Sequence, residues 1–240
     1  MVFIGYSNQD RYDIVEPMVF HLKNYGINIW YDFHDMFLSD NRFHENFEFG
    51  IGESKYVIFI ISQNFFNSKC AVEELKYAQN LYEEGKIVLF PILYLIKASE
   101  LPNNYNWIKK IIYNEVTEQS GTLFVTNQII EKMLHDESKI LPFQSFSEIS
   151  NYFENHSEIY LNKLFETYES LDLPNYSARM AFLYAAYLYI SIADGKKYDT
   201  HISKIINKIV IFSSLNISLD HLTFSIFELA ILIAFNNYLQ

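Results

Sequence analysis

The chain has 240 residues, of which 50% are hydrophobic, so it can bury a sizeable core in one large domain or two small ones. Its formal net charge of −11 at pH 7 argues against a nucleic-acid partner and against an anionic membrane, because both bind basic surfaces. The single cysteine excludes a disulfide within the chain and argues against a thiolate metal cluster.

Two apolar stretches bear on where the protein acts. Residues 1–4 are apolar but end at Gly5, without the basic start or the cleavage site of a signal peptide. The late run at residues 222–239 is interrupted by Glu228 and two asparagines, which favours a core helix over a membrane span. We therefore expect a cytoplasmic protein with no membrane partner.

Strand-like and helical patterns alternate through the first part of the chain. Strands are predicted at residues 2–6, 27–31, 56–61, 86–92 and 110–116. Helices are predicted at residues 14–25, 43–51, 68–85 and 125–134. This alternation predicts a parallel sheet with helices on both faces.

Beyond residues 135–142, which mix charges with a proline, the pattern is helical only. Five helices are predicted, at residues 146–153, 159–171, 177–193, 202–215 and 219–239. Residues 194–195 predict a tight turn between two of them. We therefore expect an α/β domain over residues 1–137 and a smaller all-α domain over residues 143–240. Residues 181–188 are apolar on more than one face, which suggests burial against a further surface such as another subunit.

The segment at residues 54–75 offers the strongest candidate for function. Residues 56–61 form an almost unbroken apolar run, as expected of a strand covered on both faces, and residues 62–68 are polar and loop-like. Ser68 is an N-cap candidate for the next helix, which carries Glu74 in its first turns. A carboxylate just past the carboxyl end of a parallel strand lies where open α/β sheets bind ligands.

Glu73 competes with Glu74 for this position. At helical spacing, Val72 and Leu75 face the core together with Ala78. Both glutamates then lie off that buried face, so periodicity does not choose between them.

Three stretches of the chain together resemble the TIR (Toll/interleukin-1 receptor) domain family. They are residues 2–7 (VFIGYS) with Asp10, residues 26–32 (GINIWYD), and residues 54–62 with 68–75 (SKYVIFIIS and SKCAVEEL). The first two are similar to the opening strands of the family. The third is similar to its next strand and helix, where the family often has Ser-x-Trp-x-x-x-Glu-Leu. The resemblance covers residues 2–136 and implies a flavodoxin-like fold.

The resemblance also implies an activity and a catalytic residue. Many TIR domains cleave NAD⁺ between nicotinamide and ribose with the glutamate of the last motif, and Glu74 with Leu75 fits that motif. Glu73 is the residue that an alignment shifted by one position would choose. Cys70 stands in the tryptophan position, which removes an aromatic surface beside the substrate. NAD⁺ is then the substrate, and neither a cofactor nor a metal is expected.

This reaction suits a single carboxylate. Nicotinamide is a cationic leaving group, so it needs no acid to protonate it. Its departure leaves positive charge on the ribose, and a carboxylate that holds the ribose hydroxyls stabilises that charge. Addition of water yields ADP-ribose, and addition of the substrate's own adenine ring yields a cyclic isomer. The sequence leaves both products open.

Two further segments are implied to contact the substrate. Tyr6, Ser7 and Asn8 lie between a strand and a helix N-terminus, where backbone N–H groups can bind the pyrophosphate. By the resemblance, the loop at residues 33–41 closes over the nicotinamide side. The other implied contacts are Asp32, Phe33, His34, Asn41 and Cys70.

The loop at residues 33–41 departs from the family pattern. The family usually carries a glycine there, and this chain has none between Asp32 and Phe49. Asp40 or Asn41 is therefore expected to take a left-handed backbone conformation, at a cost that glycine would avoid.

Several candidates also have an ordinary structural interpretation. Asp10 is explained equally well by a helix cap and by a substrate contact. Cys70 is better explained as a small packed residue than as a nucleophile. His21, His34 and His44 show no repeated ligand spacing, and we interpret them as surface residues rather than as a metal site.

The sequence supports one main hypothesis and two alternatives. The main hypothesis is a bacterial-type TIR enzyme, an NAD⁺ glycohydrolase or ADP-ribose cyclase, that serves immunity against phage. Its helical domain would sense a protein or small-molecule trigger, hold a partner, or drive homo-oligomerisation together with the TIR domain. The first alternative is a non-catalytic adaptor that acts through TIR–TIR contacts. The second is a nucleotide-binding sensor that does not cleave its ligand.

Overall fold

A computed structural model describes residues 1–36, 38–41, 43–193, 201–215 and 219–240, without the side chains of Phe33, His34 and Ala193. The chain divides into two compact units, Met1–Thr126 and Asn127–Gln240. The division falls inside a helix at Leu123–Ser138. The domain limits at residues 137 and 143, which the sequence predicts, stay a prediction.

The first unit is built on a five-stranded sheet in which every pair of neighbours is parallel. The strands are β1 (Val2–Gly5), β2 (Ile29–Trp30), β3 (Tyr56–Ile61), β4 (Val88–Tyr94) and β5 (Asn114–Val116). Their order is β2-β1-β3-β4-β5, which is the flavodoxin-like order, and it reverses between β1 and β3. The predicted fold class of this part is confirmed.

Helices lie between these strands and after the last of them. They are α1 (Glu16–Asn24), α2 (Asp32–Asp35), α3 (Gln63–Asn67), α4 (Lys69–Glu83) and α5 (Leu123–Ser138). Short 3-10 or π-helical segments lie at Asn8–Asp10, Arg11–Val15, Phe43–Ile51, Ala98–Glu100 and Asn103–Lys110. Ser68 caps α4 as predicted, because its side chain accepts a hydrogen bond from Ala71 N at 3.4 Å. Gly85 follows α4 with a φ of 70°, a conformation that glycine adopts without strain.

The segment after β3, predicted as a loop, contains α3. This helix begins after Ser62, whose hydroxyl accepts a hydrogen bond from Phe65 N at 3.0 Å. Phe65 is fully buried and anchors the turn in the core. Phe66 also packs against the core, so two apolar side chains and one cap order this stretch.

The segment at residues 33–41, also predicted as a loop, contains most of α2. The left-handed conformation expected at Asp40 or Asn41 lies instead at Ser39, whose φ is 88°. The expectation that a non-glycine residue takes this conformation is confirmed, but its position was wrong.

The core of the first unit is centred on β3, every residue of which is buried. Phe59 is fully buried, and its ring contacts those of Phe3 and Phe65 at centroid distances of 6.2 and 6.0 Å. A Cβ atom on Gly5 would lie 2.3 Å from the Phe59 ring. The glycine at the end of β1 therefore makes room for the central aromatic residue of the neighbouring strand.

The second unit is all-α, as predicted. Its helices are α6 (Phe146–Asn155), α7 (Ile159–Ser170), α8 (Tyr176–Ala193), α9 (His201–Ser214) and α10 (His221–Leu239). Within the described residues, α6 packs on α7, α7 on α8, and α10 on both α8 and α9. The turn predicted at Asp194 and Gly195 lies outside the described residues.

In the described part of the chain, α10 is the one helix that is long and apolar enough to cross a membrane, with a mean hydropathy of 1.5. Half of that stretch is buried inside the protein. Asn236 is fully buried and bonds through both side-chain ends to the backbone of Phe143, at 2.9 and 3.0 Å. These contacts are those of a core helix.

We expect Phe59→Ala to destabilise the first unit by about 3–5 kcal/mol, because it removes a buried ring that its rigid neighbours cannot replace. The matched control is Phe20→Ala, since Phe20 is 63% exposed. Its cost should stay within about 0.5 kcal/mol. Urea unfolding followed by circular dichroism measures both, and equal costs would contradict the position of β3 at the centre of the core.

Candidate functional site

A cavity of about 270 Å³ lies at the point where the strand order reverses. Its described lining comes from β1 and from the segments that follow β1, β2 and β3: Phe3, Ile4, Tyr6, Asn8, Asp32, Met36, Asn46, Ser68, Cys70 and Glu74. Ligands of open α/β sheets bind at this topological position. The cavity therefore brings together five of the residues that the sequence singles out: Tyr6, Asn8, Asp32, Cys70 and Glu74.

Glu74 lies on the inner face of α4. Its side chain is only 6% exposed, and Ala71, Leu75 and Ala78 are buried on the same face. The expectation that both glutamates lie off the buried face is wrong for Glu74. Ala71, and not the larger Val72, is the fully buried residue of the first turn, and this rotates the helix so that Glu74 faces inward.

Glu73 has a different environment. Its side chain is 44% exposed and lies 3.9 Å from the ammonium group of Lys69, one turn earlier. An exposed pair of this kind contributes little to stability and faces solvent. The geometry thus distinguishes the two neighbouring glutamates, which the sequence leaves open.

Asn46 is a cavity residue that the sequence reasoning missed. It lies in the segment Phe43–Ile51, is 4% exposed, and its amide donates to Glu74 Oε1 at 2.9 Å. Its Oδ1 accepts a hydrogen bond from Trp30 Nε1 at 3.2 Å. One signal in the sequence could have identified it. Asn46 is a polar residue directly before Phe47, in a segment whose apolar spacing predicts a buried helix face.

Tyr6 and Asp32 form a second polar contact at the cavity. The Tyr6 hydroxyl donates to Asp32 Oδ1 at 2.6 Å, and the ring lies 5.7 Å from that of Tyr31. Burial raises the pKa of Tyr6 above its usual value, and the hydrogen bond to the Asp32 carboxylate raises it further. Tyr6 is therefore a hydrogen-bond donor over the whole physiological pH range.

The other predicted contacts are placed differently. Ser7 is buried, but it is not among the described residues that line the cavity. Asn41 is exposed, and its Oδ1 accepts from the backbone N–H of Phe43 at 3.1 Å, which caps the following helical segment. The side chains of Phe33 and His34 lie outside the described part of the chain.

Asp10 has a structural role. It is 2% exposed and accepts hydrogen bonds from Ser62 Oγ at 2.6 Å and from Asn64 Nδ2 at 2.7 Å. It stands at the N-cap position of the segment Arg11–Val15, but its side chain makes no capping hydrogen bond there. Its carboxylate instead joins the segment after β1 to the segment after β3 beside the cavity.

Cys70 is exposed and lies at the cavity, one turn before Glu74 on α4. The interpretation of Cys70 as a packed residue is therefore wrong. The reason is its place in the first turn of α4, where Lys69 and Cys70 face solvent and Ala71 is the first residue to reach the core.

Among the described residues, no group of three or more His, Cys, Asp or Glu side chains is arranged to hold a metal ion. His44 is exposed and lies 2.8 Å from Glu48. The chemistry that the described cavity offers is that of one buried carboxylate beside amide and phenol donors.

We expect the free energy of unfolding of Tyr6→Phe to fall less steeply at alkaline pH than that of the wild type. Folded Tyr6 keeps a proton that the unfolded chain loses above about pH 10. Its contribution to the free energy of unfolding is complete below that pH and then falls by about 1.4 kcal/mol per pH unit as the pH rises. Urea unfolding between about pH 8 and pH 11 should show this slope reduced in the variant.

Tyr12→Phe is the matched control, because the ring of Tyr12 is 73% exposed. It should keep the wild-type slope. Identical slopes in the wild type and in Tyr6→Phe would contradict the buried phenol–carboxylate contact.

The family comparison matches the site-bearing part of the chain. Residues 2–120 match the model of the TIR domain family. This range contains all five strands and every described residue of the cavity.

Curated relatives match the same part. The chain is 35% identical over 101 residues to NAD(+) hydrolase TcpC of Escherichia coli, an alignment that covers 41% of this chain and 32% of that protein. It is 28% identical over 131 residues to NAD(+) hydrolase TcpA of a Theionarchaea archaeon, covering 54% and 38%. It is 26% identical over 138 residues to the probable 2′ cyclic ADP-D-ribose synthase TcpO of Methanobrevibacter olleyae, covering 57% and 39%. The chain thus spans 32% to 39% of these relatives' lengths.

Proposed function

The chain belongs to the TIR domain family, and from that premise we propose that it cleaves NAD⁺ at the bond between nicotinamide and ribose. The observation that carries the proposal is the burial of Glu74 in the cavity at the reversal of strand order. Relatives named as NAD(+) hydrolases and as a cyclic ADP-ribose synthase support the same substrate. NAD⁺ is a substrate in this proposal, and the reaction uses no cofactor.

Glu74 acts on the charge that develops during bond cleavage. The C1′–N bond breaks, its electron pair leaves with nicotinamide, and the ribose becomes an oxocarbenium ion. A carboxylate already fixed beside the ribose stabilises this ion without reorganisation at the moment of reaction. A buried site strengthens the effect, because water does not screen it.

The second half of the reaction sets the product. Water that adds to C1′ and loses a proton gives ADP-ribose. An internal nucleophile of the substrate that adds to C1′ gives a cyclic ADP-ribose. The names of the relatives include both outcomes, so the proposal covers hydrolysis and cyclisation.

The residues around Glu74 have proposed roles as substrate contacts. Tyr6, Asn8, Asp32 and Cys70 line the same cavity, so they would border a ribose bound beside Glu74. A cavity of about 270 Å³ covers part of a dinucleotide, so the pyrophosphate would extend towards the backbone N–H groups of residues 6–8. Ser7, Phe33, His34 and Asn41 remain proposed contacts of the bound substrate.

The biological setting that we propose is bacterial immunity against phage, in the cytoplasm, through loss of NAD⁺ or production of a nucleotide signal. A protein or small-molecule trigger and assembly into a homo-oligomer would control the reaction. The helical unit offers a surface for this assembly, since Leu188 and Ile192 of α8 are 40% and 79% exposed. Burial of such apolar side chains favours association.

We expect Glu74→Gln to lower the rate of nicotinamide release by about two to three orders of magnitude, the usual cost of losing one electrostatic contact in the transition state. Glu73→Gln is the matched control, because Glu73 faces solvent one residue away. It should keep the wild-type rate. Chromatography of NAD⁺ incubated with each purified full-length protein, with and without a crowding agent, measures the release.

Loss of activity in Glu73→Gln but not in Glu74→Gln would show that Glu73, and not Glu74, is the catalytic glutamate of the motif. No release by the wild type in any assembly condition would reject the enzyme proposal and favour the adaptor. Mass spectrometry of the product separates ADP-ribose from its cyclic isomer, because cyclisation adds no water.

We also expect NAD⁺ to protect Cys70 from alkylation, because Cys70 lies at the cavity and is the one cysteine of the chain. The measurement is the rate of N-ethylmaleimide labelling by mass spectrometry. The Glu74→Gln protein is used so that NAD⁺ is not consumed. An equal labelling rate with and without saturating NAD⁺ would place the substrate elsewhere.

A further inference from the structure

We infer that Asn46 is the positioning residue of Glu74: its amide holds the carboxylate in the orientation that stabilises the oxocarbenium ion. The inference rests on the proposed function. It concerns a residue on a different element, 28 positions earlier in the chain, and it is carried by a chain of two buried hydrogen bonds, from Trp30 to Asn46 and from Asn46 to Glu74.

The orientation of the Asn46 amide is determined by its partners. The indole N–H of Trp30 can only donate, so the atom of Asn46 that it meets at 3.2 Å must be the oxygen. The NH₂ group then points the other way and meets Glu74 Oε1 at 2.9 Å. A carboxylate can only accept, so both contacts agree on one amide orientation.

The backbone of Asn46 is also fixed. Its segment, Phe43–Ile51, lies so close to the indole that a Cβ atom on Gly50 would be 2.7 Å from Trp30 Nε1. The Trp30 ring contacts that of Phe49 at a centroid distance of 5.2 Å, and Trp30 itself is 7% exposed. Asn46 therefore has little freedom to move relative to β2.

The hydrogen bond from Asn46 stabilises and orients the Glu74 carboxylate, which apolar packing alone does not do. A buried carboxylate without polar partners is strongly disfavoured, and an amide N–H donor offsets part of that cost. The same hydrogen bond limits rotation of the carboxylate group. A group fixed before the reaction stabilises developing charge more effectively than one that must reorient.

A structural role for Asn46 is the competing explanation, since the amide also satisfies the buried indole N–H of Trp30. Asn46→Asp separates the two roles. Aspartate keeps the size of asparagine and keeps an acceptor for Trp30, but it replaces the NH₂ donor by a second carboxylate oxygen facing Glu74. Two carboxylates at this distance titrate as a coupled pair that shares one proton.

The sign of the pH effect follows from that pair. When the pair holds one proton, the carboxylic acid introduced at position 46 donates to Glu74 as the amide did, and activity is retained. When the proton leaves at higher pH, the two negative charges repel and Glu74 is displaced. The other described titratable groups that line the cavity are Tyr6, Asp32 and Cys70, and they are common to the wild type and the variant.

The test measures initial rates of nicotinamide release by the full-length wild type, Asn46→Asp and Asn46→Ala from about pH 5 to pH 8.5, across the range where a coupled carboxylate pair titrates. The ratio of Asn46→Asp to wild-type activity should be highest at the acid end and should fall by up to about tenfold per pH unit above the apparent pKa of the pair. Asn46→Ala should lower kcat and kcat/KM equally, by about 10- to 100-fold, with KM little changed.

Asn80→Asp is the matched control. It adds the same charge at an exposed position of α4, outside the cavity, and its activity ratio to the wild type should not depend on pH. Circular dichroism melting of each variant reports folding. If Asn46→Ala does not fold, the pH profile of Asn46→Asp decides alone.

Parallel pH profiles of Asn46→Asp and the wild type, or an Asn46→Ala protein that folds and keeps its kcat, would overturn the inference while leaving the NAD⁺-cleaving function in place. No release by the wild type would overturn both.

Discussion

The burial of the Glu74 carboxylate at the carboxyl ends of the strands is the constraint on which the candidate site depends. Glu74 is 6% exposed, and a carboxylate in such a place must be held by donors. The Asn46 amide is one such donor, and Asn46 is in turn held by the Trp30 indole. Two consecutive hydrogen bonds thus link a side chain of β2, one of the segment before β3 and one of the helix after β3.

The sheet supplies the place for this charge. Because the strand order reverses between β1 and β3, the segments that leave these two strands diverge and open a cavity between them. Asp10 joins these two segments, because it accepts hydrogen bonds from Ser62 and Asn64. A part-buried ion pair lies in the helical unit, where Arg179 contacts Glu228 at 3.0 Å and also the hydroxyl of Tyr168. Burial raises the pKa of Glu228 there, because desolvation outweighs the opposing effects of the Tyr168 hydrogen bond and the Arg179 charge.

The sequence was sufficient for the architecture because strand and helix periodicities are local. The run at residues 56–61 matches β3 residue for residue, and Ser68 caps α4 as its residue type predicts. The motif favours Glu74 over Glu73 as the catalytic residue, and that assignment stays a prediction. The burial of Glu74 was not predictable, since Val72 is the larger apolar residue of the first turn but is only partly buried, whereas the smaller Ala71 is fully buried. Tight packing of the helix on the sheet, rather than side-chain hydrophobicity, decides that rotation.

Asn46 escaped prediction for a different reason. Its two partners are Trp30 and Glu74, at 16 and 28 positions along the chain, so no local pattern connects them. Cys70 was misplaced because burial statistics for cysteine do not account for the exposed first turn of a helix.

The most direct test of NAD⁺ cleavage by this chain is a time course of NAD⁺ by proton NMR with the full-length protein. If the chain cleaves NAD⁺, free nicotinamide signals grow with protein concentration, together with new ribose anomeric signals. Unchanged NAD⁺ that only broadens on binding would contradict cleavage and identify a sensor that binds the nucleotide without cleaving it.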